Sequence, residues 1–147
     1  VVNCPNAYLG NLSSVKIIKS FHDVFIANQS FKDLKGKKLS YGQLLEHPIL
    51  MLDKKSTTSE FLHSQFQQHQ LDLVPEIELS SNDLLIDLAR IGLGLAFIPD
   101  YCIDNSDDDL FTIDLKEKLP ARELALAYNK HLPISGALEE FLSYFEE

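Results

Sequence analysis

The stretch ELSSNDLLIDLARIGLGLAFIPD, residues 78–100, is the part of the sequence that most clearly predicts the fold. It reads as the end of a strand, a helix opened by Ser80 or Ser81, a glycine turn and a second apolar strand. Gly92 is a natural end for the helix, because glycine adopts the left-handed conformation at little cost. The apolar run that ends at Ile98 is typical of a strand covered on both faces of a sheet. We therefore expect a helix between two buried strands.

Apolar segments and helix-capping sequences alternate along the rest of the chain. Ser40 with Gln43, and Thr57 with Glu60, have the spacing of a capping box, in which two side chains close the first turn of a helix. The expected strands lie near residue 15 and at 24–27, 49–52, 74–79, 93–98, 110–115 and 123–129, and the expected helices at 40–46, from 57, from 81 and from 135. This alternation predicts an α/β fold with parallel crossover connections, in which ligands bind beyond the carboxyl ends of the strands.

Length, composition and charge limit the possible functions. The 147 residues suit one domain or two small lobes, and 45% hydrophobic with 24% charged residues is ordinary for a soluble globular protein. No apolar run approaches the roughly 18 residues of a membrane span, and no secretory signal is recognisable. The sequence does not begin with Met, so we expect a fragment of a longer protein. A net charge of −9 argues against a nucleic-acid surface, and the cluster Lys32, Lys35, Lys37 and Lys38 reads as a solvated loop.

Motifs for catalysis or metal binding are not found in the sequence. The five histidines lack metal-site spacing, and no hydrolase elbow, phosphate loop or dinucleotide fingerprint occurs, so we expect no cofactor and no metal. The acidic run at 104–109 lacks the alternation and closing glutamate of a calcium loop. Cys4 and Cys102 read as two reduced thiols of a cytoplasmic protein, although their spacing alone leaves a disulfide open.

Two helix N-termini remain as candidate sites: Ser56, Thr57 and Thr58, and Ser80, Ser81 and Asn82. Each follows an apolar strand and opens a helix, where free N–H groups and the helix dipole favour an anion such as a carboxylate. The alternative is plain helix capping, which stabilises each helix by about 1 kcal/mol without any ligand. The residues alone leave both interpretations open.

The ordered set of motifs resembles the effector-binding domain of LysR-type transcriptional regulators. SSNDLLIDLARIGLGLAFIPDYCI is similar to the segment that contains the family's GLG-apolar-LP signature, with Ile98 in place of its leucine. VVNCPN, FHDVFIANQSF, LLEHPILMLDKKSTTSEFL and RELALAYNKHLPISGALEEFLSYF resemble further strands and helices of that domain in the same order. Each motif is loose, but together they cover nearly the whole chain.

The resemblance implies a periplasmic-binding-protein-like (type 2) fold of two α/β lobes, with a small, anionic effector between them. Residues 28–122 would form a complete second lobe, and residues 1–27 and 123–147 a partial first lobe. It implies a homodimer without catalytic activity, and DNA binding only through a helix-turn-helix domain outside this chain. The ligand-binding residues carried by the resemblance and the helix N-termini are Asn3, Ser56, Thr57, Thr58, Ser80, Ser81, Phe97 and Pro99. The alternatives are a solute-binding protein of an importer, which needs a secretion signal or lipid anchor, and a two-lobe enzyme, for which no placed acid or base is seen.

Overall fold

The computed structural model describes residues 2–4, 13–103 and 109–129. The strands are β1 Val2–Cys4, β2 Ser13–Phe21, β3 Asp23–Asn28, β4 Lys38–Leu39, β5 Ile49–Leu52, β6 Ile77–Leu79, β7 Leu95–Pro99, β8 Leu110–Thr112, β9 Asp114–Leu115 and β10 Arg122–Asn129. The α-helices are α1 Tyr41–Leu44, α2 Thr57–Gln68 and α3 Asn82–Arg90, and two short 3-10 helices span Gln29–Leu34 and Asp100–Cys102. The predicted helix from residue 135 and most of the acidic run at 104–109 lie outside the described residues. No helix in the described ranges has the length and apolar character needed to cross a membrane.

The chain divides into two compact units. The smaller comprises residues 1–20 and 122–147, and its sheet has the strand order β1-β10-β2 with β1 antiparallel to β10. The larger comprises residues 21–121. Strand β3, which the sequence places with the first lobe, pairs with β7 and β8 inside the larger unit.

The larger unit is built on a five-stranded sheet in the order β6-β5-β7-β3-β8. Strand β5 runs parallel to both β6 and β7, as the predicted α/β fold requires. Strand β3 runs antiparallel to β7, so the prediction of parallel crossovers is wrong for the connection from β3 to β5. Strand direction here depends on pairing between residues far apart in the chain, which local periodicity does not encode.

Both faces of this sheet are covered by helices, which explains the continuous apolar strands. One face packs Phe25, Met51 and Phe97 against side chains of α1 and α2. The other packs residues such as Leu50 and Ile98 against α3. Successive side chains along a strand point to opposite faces, so an apolar run is expected wherever both faces are covered.

The helix caps confirm one predicted capping box and correct the other. Ser40 Oγ accepts from the Gln43 N–H at 3.2 Å, and Gln43 Oε1 accepts from the Ser40 N–H at 2.8 Å. The box of Thr57 with Glu60 is wrong, because Ser56 is the N-cap of α2 and its Oγ accepts from the Ser59 N–H at 3.0 Å. Adjacent hydroxyl residues cap about equally well, so the path of the chain into α2 decides which one is used.

Glycine is required at two positions around the end of α3. Gly92 has φ +87°, the left-handed conformation predicted for the helix end, and an added Cβ would lie 2.9 Å from Asn28 Nδ2. That Asn28 amide donates to the Arg90 carbonyl at 3.1 Å and so satisfies an end of the helix. At Gly94, a Cβ would lie 2.5 Å from the Pro48 carbonyl oxygen, so the close approach of β7 to the start of β5 needs glycine.

Two further segments, residues 29–34 and 110–115, differ from the structure predicted for them. Residues 29–34, expected as loop, form a 3-10 helix whose N-cap is Asn28. The predicted strand at 110–115 is divided at Ile113, because β8 pairs with β3 whereas β9 runs parallel to β4 in a separate two-stranded sheet. The strand divides because its two halves pair with different strands that are distant in sequence.

Candidate functional site

The structure brings the two predicted helix N-termini to one edge of the larger sheet. Strands β5 and β6 are parallel neighbours with Leu52 opposite Leu79, and the Asp53 N–H donates to the Leu79 carbonyl at 2.8 Å. Helix α2 begins at Thr57 and α3 at Asn82, shortly after those strands end. The positive ends of two helix dipoles therefore lie at the same carboxyl edge.

At the start of α2 the Ser56 hydroxyl is bonded to the helix itself. Ser56 is half-buried and caps the helix, while Thr58 is 3% exposed. Thr57 is half-buried beside them. Just upstream, Asp53 Oδ1 accepts from the Lys55 N–H at 3.1 Å and closes the turn that leads into the helix. This turn holds the N-terminus of α2 in place.

At the start of α3 one polar atom is left over. Ser81 is the N-cap, and its Oγ accepts from the Leu84 N–H at 3.3 Å, whereas Ser80 is exposed. Asn82 Oδ1 is buried, and within the described part of the chain it accepts no hydrogen bond. A buried carbonyl oxygen without a donor is costly, so this atom is suited to accept from a hydroxyl or amide of a ligand. The sequence placed Asn82 at this mouth without assigning it to ligand binding.

The remaining predicted ligand-binding residues lie in different surroundings. Phe97 is fully buried, with its ring 4.8 Å from that of Phe25, so it belongs to the core beneath the sheet edge. Pro99 is buried at the end of β7, opposite Asp23. Asn3 lies in β1 of the smaller unit, opposite Leu124.

The two helix N-termini at this sheet edge have different charged side chains beside them. Burial raises the pKa of the half-buried Cys102 thiol, and three carboxylates raise it further: Asp83, Asp100 and Asp23. Cys102 is a free thiol within the described ranges. Those carboxylates make the start of α3 unfavourable for an anion, whereas at the start of α2 the carboxylates of Asp53 and Glu60 are balanced by the ammonium groups of Lys54 and Lys55. An anionic group is therefore better accommodated at the N-terminus of α2.

Among residues 2–4, 13–103 and 109–129, no group of three or more His, Cys, Asp or Glu is arranged to hold a metal ion. The carboxyl edge of the larger sheet offers helix N–H groups, hydroxyls and one amide oxygen, which are groups that bind polar small molecules.

Comparison with known proteins identifies the family. The model of the LysR substrate binding domain matches residues 10–147, and the chain belongs to this family. A curated relative, the HTH-type transcriptional activator CmpR of Synechocystis sp., is 25% identical over 123 residues, covering 82% of this chain and 40% of CmpR. The chain thus spans less than half of that relative.

Solved structures show the same fold. The CcmR regulatory domain of Synechocystis, in complex with 2-PG, superposes with a TM-score of 0.83 at 20% identity, covering 97% of this chain and 70% of that one. A reduced form of OxyR from N. meningitidis gives a TM-score of 0.74 at 16% identity, covering 97% and 67%. The predicted type 2 periplasmic-binding-protein-like fold is confirmed. The family is one of transcriptional regulators rather than enzymes, and the match favours the regulator over the importer protein.

Proposed function

We propose that this chain is the part of a LysR-type regulator that senses a small anionic metabolite. The larger unit would be the second lobe and the smaller unit would contribute to the first, with the effector at the carboxyl edge of the larger sheet. In this proposal the effector changes DNA binding by a separate helix-turn-helix domain, and the protein acts as a homodimer in the cytoplasm. Effector binding would shift the populations of two arrangements according to its affinity for each.

The observation that carries the proposal is the convergence of two capped helix N-termini on adjacent parallel strands. First-turn N–H groups have no partners inside their own helix, and the dipoles add a partial positive charge. Lys54 and Lys55 beside α2, together with the buried Asn82 Oδ1, would favour a ligand with an anionic end and a hydroxyl. Two structural neighbours are named with small anions: CcmR with 2-PG and QuiR with shikimate.

The proposed residues divide into groups with different roles. Ser56, Thr57 and Thr58 would supply hydroxyl and N–H groups to the anionic end. Ser80 and Ser81 would lie beside the polar remainder of the effector, with Pro99 at the adjoining strand end. Phe97 would support that strand end from the core, and the role of Asn3, in the smaller unit, stays a prediction from the family resemblance. Helix dipoles and hydrogen bonds of this kind contribute about 1 kcal/mol each, which suits binding in the millimolar to micromolar range.

The test is thermal unfolding of the full-length protein with a panel of small anions, including 2-phosphoglycolate and shikimate. A ligand present at about 100 times its Kd should stabilise the protein by about 2.7 kcal/mol and raise its Tm. Ser56→Gly removes the hydroxyl while glycine keeps most of the capping, so binding should weaken with little loss of stability. Ser40→Gly, the matched change at the cap of α1, should leave binding unchanged. A flat response across the panel, or equal losses in both variants, would contradict the proposal.

A further inference from the structure

A cavity lies on the flank of α2, beside the edge strand β6 of the larger sheet. Its volume is about 640 Å³, within the range of small-molecule sites. It is bounded by one face of α2 carrying Ser59, His63 and Gln67, by residues 72–75, and by Glu78 on the edge strand β6. Residues four apart on a helix share a face, so these three side chains form one wall. All of these residues belong to the larger unit.

Two polar atoms in this wall are buried without partners. Ser59 is 1% exposed, and among the residues that the structure describes its Oγ makes no hydrogen bond. The same holds for His63 Nε2. A helical serine can satisfy itself by donating to a carbonyl of the preceding turn, as Ser64 Oγ does to Phe61 at 2.9 Å, but Ser59 does not. A hydroxyl oxygen accepts hydrogen bonds, and so does Nε2 in the tautomer protonated at Nδ1, so a ligand with hydrogen-bond donors would satisfy both atoms.

The charges around the cavity favour a cation. Its lining has one ammonium, that of Lys54, and three carboxylates, those of Glu60, Asp72 and Glu78. A primary ammonium has three N–H donors and no acceptor, and so can donate to a hydroxyl, a neutral imidazole and a carboxylate together. Leu73, Val74 and Pro75 complete the lining with apolar surface, and Val74 is 73% exposed. That surface can cover a short hydrocarbon chain.

We propose that this cavity binds a primary alkylammonium, with Ser59 Oγ, His63 Nε2 and Glu78 accepting from its N–H groups. The hydrocarbon chain lies on Leu73, Val74 and Pro75. The cavity lies beside the proposed anion site and shares Lys54 with it, but its lining includes neither Ser56 nor Thr57, at which α2 begins.

The test is calorimetric titration of the full-length protein with 1,4-diaminobutane at low salt, with binding expected on the order of millimolar Kd. Tetramethylammonium carries the charge without N–H donors, and 1-butanol carries the chain without the charge, so both should bind at least about tenfold more weakly. Absence of diamine binding, or tetramethylammonium binding equally well, would overturn the proposal.

Two variants with matched controls locate the site. Ser59→Ala should weaken diamine binding about tenfold, whereas Ser64→Ala, which removes another lining hydroxyl that already donates to the Phe61 carbonyl, should have a small effect. Glu78→Gln should weaken it several-fold, whereas Glu76→Gln, two residues away and outside the lining, should not. Equal effects within either pair would refute the assignment. So would a Ser59→Ala protein that binds diamine normally but changes its oligomeric state in light scattering, because this face would then contact another chain.

Discussion

Replacing the serines at the two helix N-termini with alanine should give a graded loss of stability. Ser56 is half-buried and accepts from the Ser59 N–H at 3.0 Å, so Ser56→Ala leaves a part-buried donor unpaired. We expect a loss in the upper part of the N-cap range, about 1–2 kcal/mol. Ser81 accepts at 3.3 Å in a more exposed turn, so Ser81→Ala should cost about 0.5–1 kcal/mol. Exposed Ser80 caps nothing, and Ser80→Ala should change stability by less than about 0.5 kcal/mol.

Urea unfolding followed by circular dichroism measures this order. With an m-value of about 2 kcal/mol/M, a loss of 1.5 kcal/mol lowers the midpoint by about 0.75 M, well above experimental scatter. Ser56→Gly is the internal control, because glycine at the N-cap position costs only a few tenths of a kcal/mol although it removes the same hydroxyl. It should recover most of the stability that Ser56→Ala loses.

Two results would refute the capping argument. Equal destabilisation by the Ser80 and Ser81 substitutions would mean that Ser81 is not the N-cap of α3. A Ser56→Gly protein as unstable as Ser56→Ala would mean that glycine does not replace serine as the N-cap of α2. Measuring effector response on the same variants separates the two roles, since a residue that only caps should lose stability and binding together.

The remaining predictions concern a pH-dependent contact and a close backbone approach. The pKa of His69 is raised, first by its bond to the Gln65 carbonyl and then by Glu117, which accepts from its Nε2. The stabilisation from these bonds is fully present below the unfolded pKa of about 6.5. It is lost as pH rises through the higher pKa of the folded state. The urea midpoint should therefore fall as pH rises from about 6.5 through the folded pKa of His69. Glu117→Gln should reduce this dependence of the midpoint on pH, and an unchanged dependence would contradict the role given to Glu117. Gly94→Ala should destabilise the fold by about 1–3 kcal/mol because the new Cβ meets the Pro48 carbonyl. Gly42→Ala, whose nearest contact would be 3.9 Å away, should be neutral or stabilising. Similar melting temperatures for the two variants would contradict the close approach at Gly94.

Local features of the fold were accessible from the sequence because neighbouring residues determine them. The Ser40–Gln43 capping box involves residues three apart, and its spacing was sufficient to predict it. The left-handed end of α3 at Gly92 depends on a single residue's backbone freedom and was predicted for that reason. Where two local choices were equally good, as at Ser56 and Thr57, the wrong one was selected. The choice there depends on the turn at Asp53, whose N–H donates to the carbonyl of Leu79 on the neighbouring strand β6.

The apolar periodicity and the capped helices of the sequence thus predicted the α/β fold class, and the resemblance of its ordered motifs, including the GLG segment, indicated the family. Only the tertiary structure decided that β3 is antiparallel to β7 and that the N-termini of α2 and α3 share one sheet edge. It also decided that Phe97 is a core side chain and that Ser59, His63 and Glu78 line one cavity. These features join residues from separate elements, and their proximity is set by strand pairing and core packing across the chain, which no local pattern contains.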